Sequence, residues 1–279
     1  MCLFELSEIT QQERKLARLL QDAFQTARNG HIISRTGRRL TRKHACHQLW
    51  AVNEKARVAW GNAVCQQVES HFDIAYEHLH PDEPIYLVTL VDLACCTAID
   101  AKSIDLNYID EQLRYGLSSL SFIGMIEPAL YVNIAPGTNV QTKTLVSWHL
   151  HAIAWGKSWR EMSRLISRCN RMKRHYRPIA RDFAGADVRT IKKDTLPQIS
   201  AYILKSPTNS YRIANWYRKT RSGERRDGFR QNKGLLRPGE RVTLFRLMKN
   251  MRLDELTMAG GEGVRLLRRA KRRVRKSFD

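Results

Sequence analysis

The sequence predicts an α+β protein whose centre is a ferredoxin-like, split βαβ antiparallel sheet with helices on one face. Three observations carry this. From Ile85 onward the patterning runs β-α-β-β-α-β and then one more helix. Ahead of it, residues 7 to 80 look helical. Behind it, residues 207 to 279 hold 21 Lys/Arg against 7 Asp/Glu, a net of +14 within a whole-chain charge of +21. The 279 residues therefore divide into a helical N-terminal extension (1–84), a central domain (85–207) and a basic C-terminal region (208–279).

The N-terminal helix is predicted from "SEITQQERKLARLLQDAFQTA", where Leu16, Leu19, Leu20 and Phe24 fall at helical spacing. "RTGRRLTRKH" (35–44) reads as a basic link, a second helical stretch covers about 46 to 76, and "HPDEP" (80–84) breaks the chain. "IYLVTLVDL" (85–93) is rich in β-branched and apolar residues and reads as a strand. "SIDLNYIDEQLRYGLSSLSF" (103–122) reads as a helix. "FIGMIEPALYVN" (122–133) and "TLVSWHLHAIAW" (144–155) read as strands joined by a turn around "APGTN". Pro128 marks the first of these as an edge strand, where a missing N–H costs no ladder bond. Ser158 and Glu161 form the Ser-x-x-Glu capping box of the next helix, with Trp159, Met162, Leu165, Ile166, Cys169 and Met172 as its apolar stripe. "ADVRTI" (186–191) is a short strand, and "DTLPQISAYILKSP" (194–207) a short helix stopped by Pro207.

Apolar residues make up 43% of the chain, enough for a sizeable core. A pI near 10.1 points to a polyanionic partner, nucleic acid first. No apolar run reaches the roughly 18 residues a membrane span needs. Glu5, Glu8 and Glu13 interrupt any signal-peptide pattern, so a cytoplasmic protein is expected. The six cysteines include no CxxC pair and read as free thiols in a reducing compartment. "HACH" (44–47) has no second ligand pair at matching spacing, which argues against a zinc site there. No GxxxxGK[ST] phosphate loop occurs.

"TLVSWHLHAIAWG" (144–156) carries the chemistry. Side chains alternate along a strand, so His149 and His151 share a face with Ser147, about 7 Å apart at the backbone. The other face carries Val146, Trp148, Leu150, Ala152 and Ala154 and feeds a core. Two imidazoles so placed can converge on one metal ion, but most such sites need a third ligand. If 122–133 and 144–155 form a hairpin centred near Asn139, position 127 lies opposite 149 to 151, and it is Glu127. In "AYILK", Tyr202 and Lys205 are neighbours on a helix surface, with Leu196, Ile199 and Ile203 on the apolar side. A phenol has a pKa near 10 and is a poor nucleophile at neutral pH, and an adjacent cation and ammonium favour its phenolate.

A strand ending in "TL", then His-hydrophobic-His on a strand, then Tyr-x-x-Lys on a following helix resembles the HUH endonuclease superfamily. The likeness is greatest to the single-tyrosine rolling-circle replication initiators of plasmids and phages. The matching stretches are "YLVTLVDL" (86–93), "WHLHAIAWG" (148–156) and "AYILK" (201–205), within residues 85 to 207. The resemblance implies that His149, His151 and Glu127 hold a divalent metal, Mg²⁺ or Mn²⁺. Tyr202 is then the nucleophile that cuts one DNA strand and keeps its 5′ phosphate, and Lys205 positions the phosphate or stabilises charge. The partners implied are single-stranded or origin DNA, with a host helicase, since no phosphate loop is present, and a host polymerase. Position 206 is Ser206 and Tyr211 lies beyond Pro207, so one catalytic tyrosine is expected. Trp155 and Tyr131 share the faces of His151 and Glu127, where aromatics stack bases or fill a core. A relaxase or transposase using the same chemistry, a non-catalytic DNA-binding regulator, and a two-histidine-one-carboxylate iron oxygenase are the competing readings.

Overall fold

In a computed structural model of the chain, the described residues are 3–27, 47–78, 84–134, 143–180 and 183–278. The link 35–44, the turn 135–139, and most of "HACH" and "HPDEP" lie outside them. Helices α1 (Leu3–Thr26) and α2 (Glu54–His78) come first, followed by strand β1 (Ile85–Leu90), short β2 (Cys96–Ala98) and helix α3 (Leu106–Arg114). The two long strands are β3 (Ser121–Ile134) and β4 (Lys143–Trp155). Then come α4 (Trp159–Arg171), β5 (Ala186–Ile191), α5 (Leu196–Leu204), β6 (Asn209–Lys219) and β7 (Arg225–Leu235). The chain ends with α6 (Pro238–Met248), one-turn α7 (Leu253–Leu256), β8 (Thr257–Gly260) and α8 (Gly263–Phe278).

Local chemistry accounts for the helix starts. Asn53 Oδ1 accepts the Ala56 N–H at 2.9 Å and opens α2. Asp105 caps α3 through the Tyr108 N–H at 3.0 Å. The Ser158–Glu161 capping box opens α4 as expected, with Met162, Leu165, Ile166 and Cys169 buried beneath it. On α2 every fourth residue from Ala56 to Phe72 (Ala56, Trp60, Val64, Val68, Phe72) is buried, a stripe that lies on the sheet.

The strands form one sheet of order β5-β1-β4-β3-β6-β7, with β2 beside β4 and β8 beside β3. All pairs are antiparallel except β3–β6, which is parallel over Leu130–Val132. The sheet is therefore mixed, which corrects the wholly antiparallel sheet expected. The edge assignment of β3 is corrected as well. Its outer side pairs with β8 over Phe122–Met125 and with β6 over Leu130–Val132. Pro128 falls in the gap between these two ladders, so its missing N–H still costs no bond there.

Helices cover both faces, not one. Tyr86, which pairs with Ala154, lies 6.1 Å from the Trp159 ring of α4, and the Arg114 guanidinium of α3 sits 5.8 Å from the Phe122 ring on that same face. On the histidine face, Phe72 of α2 packs edge-on to Trp155 at 5.3 Å, and Trp60 Nε1 donates to Thr257 Oγ1 at 3.0 Å. The physical reason is legible in burial: β4 is buried without interruption from Val146 to Trp155, as strands covered on two sides are. The second layer joins α5 to helices from the segments outside 85–207. One hydrophobic core runs from Ile9 and Trp60 through the sheet to Leu266 and Val274.

Candidate functional site

The predicted hairpin register holds. Glu127 pairs directly with His149, and Met125 with His151. Glu127, His149 and His151 thus project from one sheet face, each 8% exposed, with one ligand atom apiece lying within 4.8 Å of the others. This buried group can hold a metal ion. Gly124, paired with Ala152, permits the approach of the strands, because a Cβ there would stand 2.4 Å from the His151 carbonyl oxygen.

The imidazoles are pre-oriented. Thr89 Oγ1 lies 2.9 Å from His151 Nδ1, and the Ser147 carbonyl oxygen lies 3.4 Å from His149 Nδ1. With both Nδ1 atoms so occupied, both Nε2 atoms point into the site 3.0 Å apart, a hydrogen-bond separation when one of them carries the proton. Two ligands at right angles around an ion at about 2.1 Å stand roughly 3.0 Å apart, so the nitrogen pair already has the separation an ion of that size requires. Burial is the chief cause that pushes His149 and His151 below the ordinary histidine range, His151 further because His149, Lys205 and Lys233 add their charge. Both rings are thereby favoured in the neutral form that metal binding needs. Thr89 lies in the quoted stretch "YLVTLVDL" but received no role from the sequence. Only the β1–β4 register, which pairs Thr89 with His151, reveals it.

Glu127 is shared. Lys205 Nζ donates to its Oε2 at 2.8 Å and its Oε1 at 3.1 Å, and Glu127 Oε2 is 3.9 Å from His151 Nε2. The same ammonium lies 4.1 Å from the centroid of the Tyr202 ring, which in turn is 5.2 Å from the His151 ring. Tyr202 is 36% exposed. All five residues expected at the site therefore meet on the same side of the sheet. Lys205 stands just past the end of α5 with extended backbone rather than inside it, yet still reaches Glu127.

Two groups of residues nearby were not foreseen. Tyr211 on β6 stacks on Tyr131 with centroids 5.0 Å apart. Burial, with Glu127 and Tyr202 adding negative charge, pushes its phenol up to about 12, so it stays protonated at neutral pH. The second group comes from the N-terminal helices. Glu13 accepts the Ser206 N–H at 2.9 Å and the Ser206 hydroxyl at 2.7 Å. Arg57 donates from Nη1 to the Leu204 carbonyl at 3.3 Å and from Nε to the Ala51 carbonyl at 2.5 Å. Glu13 and Arg57 are 4% and 5% exposed. They clamp the end of α5 on either side of Lys205, and a helix end has free carbonyls for such a guanidinium. No local sequence signal marks them, since their partners are about 150 to 190 residues away. Trp155, by contrast, does not offer a stacking face: it is 2% exposed and packs against His71 and Phe72.

Comparison with known proteins adds no name: no protein family matches the chain, and no curated protein or solved structure is significantly similar to it. Among the described residues no helix is long and apolar enough to cross a membrane. Cys65, Cys95, Cys96 and Cys169 are free thiols.

Proposed function

We propose that this chain is a metal-dependent endonuclease that nicks one strand of origin DNA, an initiator of rolling-circle replication of the HUH type. The observation that carries the reading is the placement of Tyr202. Its ring lies against His151 and over the Lys205 ammonium, which itself grips Glu127. A partly exposed tyrosine, a trio able to hold a cation and an ammonium lie in contact with one another, which are the groups that attack on a phosphodiester requires. The strand order β5-β1-β4-β3 supports reading the core as a ferredoxin-like, split βαβ unit.

We take the ion to be Mg²⁺ or Mn²⁺, with His149, His151 and Glu127 as its protein ligands; the carboxylate suits such an ion, and the two imidazoles favour Mn²⁺ over Mg²⁺. When bound, that ion supplies charge to polarise the scissile phosphodiester. The phenol oxygen of Tyr202 attacks the phosphorus, the P–O3′ bond breaks, and the 5′ phosphate remains on the tyrosine. The 3′ oxygen leaves as a hydroxyl, taking up the equivalent of the proton the phenol lost. Lys205 holds Glu127 in place and offers positive charge beside the nucleophile. Tyr211, held as a neutral phenol, is a stacking partner rather than a second nucleophile. The protein acts in the cytoplasm and depends on a host helicase and polymerase to extend the freed 3′ end.

Mass spectrometry after incubation with Mn²⁺ and a single-stranded origin oligonucleotide tests this. A nucleotide adduct on the peptide containing Tyr202, absent in Tyr202→Phe, is the expected result. Binding without any adduct in the wild type defeats the enzyme reading and leaves a DNA-binding regulator.

A further inference from the structure

Helix α8 has two faces. Leu266, Ala270 and Val274 are buried, and Val264, Leu267 and Phe278 pack against the same core. The opposite ridge is Arg265, Arg269, Arg272 and Lys276, all exposed. Steps of four, three and four residues set these cations in one line, about 16 Å long at a rise of about 1.5 Å per residue. Arg268 and Arg275 flank the line on one side and Arg273 on the other, and all three are exposed. Among the described residues, Arg265 alone of the seven has an ion-pair partner, Glu262 at 3.5 Å. Like charges one turn apart on a helix repel, so this ridge costs the isolated protein stability that a polyanion restores.

We infer that α8 is a docking helix for the phosphate backbone of duplex DNA, separate from the metal-holding trio. Its chemistry selects the occupant. A lipid surface would need apolar side chains on the outward face, and every apolar residue of α8 lies in or against the core. A single strand is gripped by bases stacking on aromatics, and the ridge carries none. A straight, rigid row of cations instead matches phosphates held at fixed spacing along a double helix. The helix is also well placed. It packs along α2, which packs along α5 on the histidine face. Packed helices lie about 8–10 Å apart, so the axes of α8 and of the tyrosine helix α5 stand at most about two such spacings from each other. The choice of DNA over RNA rests on the nicking reading of the site.

The test removes three ridge charges in the full-length protein, as Arg269→Gln/Arg272→Gln/Lys276→Gln, which leaves the buried face intact. The control removes the same charge from the exposed side of α4 on the other sheet face, as Arg160→Gln/Arg164→Gln/Arg168→Gln. Fluorescence anisotropy with a 25-base-pair DNA duplex, repeated across salt concentrations, is the readout. Each lost phosphate contact flattens the slope of log K against log salt by about 0.9, so the ridge variant should be shallower by roughly 3 and bind about 500-fold more weakly at 0.1 M salt. The control should change affinity less than about threefold. Equal losses in both variants, no loss in the ridge variant, or tighter ridge-dependent binding of duplex RNA than of duplex DNA overturns the proposal. Adduct formation on a single-stranded oligonucleotide keeps the two readings apart. An adduct with ridge-independent duplex binding sinks only the docking helix. Ridge-dependent duplex binding without an adduct upholds the docking helix and sinks the nickase.

Discussion

Lys205→Met is the most informative single perturbation. The ammonium makes two bonds to the Glu127 carboxylate, at 2.8 and 3.1 Å, and the two side chains are only 13% and 10% exposed. Methionine keeps the length and the apolar stem and removes the charge. A buried carboxylate is then left without its nearest cation. Removing one partner of a buried pair costs about 3–5 kcal/mol. The residual exposure, and the buried Arg57 whose charge also bears on Glu127, argue for the lower end, about 3 kcal/mol. For a chain of this length that is a fall of roughly 6 °C in Tm.

A divalent cation should reverse most of this. Mn²⁺ at about a hundred times its Kd adds about 2.7 kcal/mol to any folded protein that binds it. The wild-type Kd includes the cost of loosening Glu127 from the ammonium, whereas in Lys205→Met the carboxylate is free to turn to the ion, so at one Mn²⁺ concentration the variant gains more. The rise in Tm on adding Mn²⁺ should therefore be larger in Lys205→Met than in the wild type, and absent in Glu127→Gln. Thermal unfolding followed by circular dichroism, with and without Mn²⁺, measures all three. A smaller rise in Lys205→Met, or an undiminished rise in Glu127→Gln, would show that the ion does not sit at this carboxylate.

Four further outcomes are expected. Thr89→Val frees the His151 ring and should weaken Mn²⁺ binding about 10–100-fold by titration calorimetry; an unchanged Kd would mean the 2.9 Å contact does not hold the ring. Glu13→Gln weakens two bonds to Ser206 and should lower stability by about 1–3 kcal/mol in urea, with faster hydrogen exchange at residues 203–206 as its local signature. Gly124→Ala drives a Cβ into the His151 backbone and should cost at least about 1–3 kcal/mol; a neutral result would contradict the tight β3–β4 approach. In the metal-free protein, His149 and His151 have folded pKa values pushed below the unfolded value near 6.5, so the unfolded chain binds more protons in that window. Stability should fall as pH drops below about 6.5, by up to about 1.4 kcal/mol per pH unit for each imidazole. Urea midpoints at pH 7.5 and 5.5 check this, and the fall should largely vanish in His149→Asn/His151→Gln.

The parts of the molecule legible in the sequence are those set by short-range periodicity. Alternation placed His149 and His151 on one face, the hairpin count put Glu127 opposite 149 to 151 and the structure pairs it with His149, and the capping box marked the start of α4. The basic C-terminal region hid more. β6 and β7 form an 11-residue hairpin ladder, yet "NSYRIANWYRK" and "RRDGFRQNKGL" are too charged to read as strands. The signal that was present is the turn between them, where Gly223 takes φ +80 and its N–H closes onto the Thr220 carbonyl at 3.0 Å. The parallel β3–β6 pairing and the insertion of β8 are tertiary choices that no local pattern encodes. That is why Pro128 indicated a bare edge when it marks a gap between two partners.

The same limit explains the N-terminal helices, and it changes what they are for. A helical stretch ahead of a sheet domain reads as an appendage because its apolar stripe says only that it packs somewhere. Here that stripe covers the histidine face, and two charged residues reach through it to the one helix end that matters. Glu13 fixes Ser206 and Arg57 fixes the Leu204 carbonyl, so the intervening Lys205 has little freedom to leave Glu127. A buried acid and a buried guanidinium are costly to keep in a helical layer if packing is all they provide. Their placement on both sides of Lys205 makes α1 and α2 positioning elements for the ammonium beside Tyr202. Loss of residues 1–78 should therefore abolish adduct formation on Tyr202 even where Mn²⁺ still binds; a truncated protein that is soluble and forms the adduct at the wild-type rate would show the clamp to be dispensable.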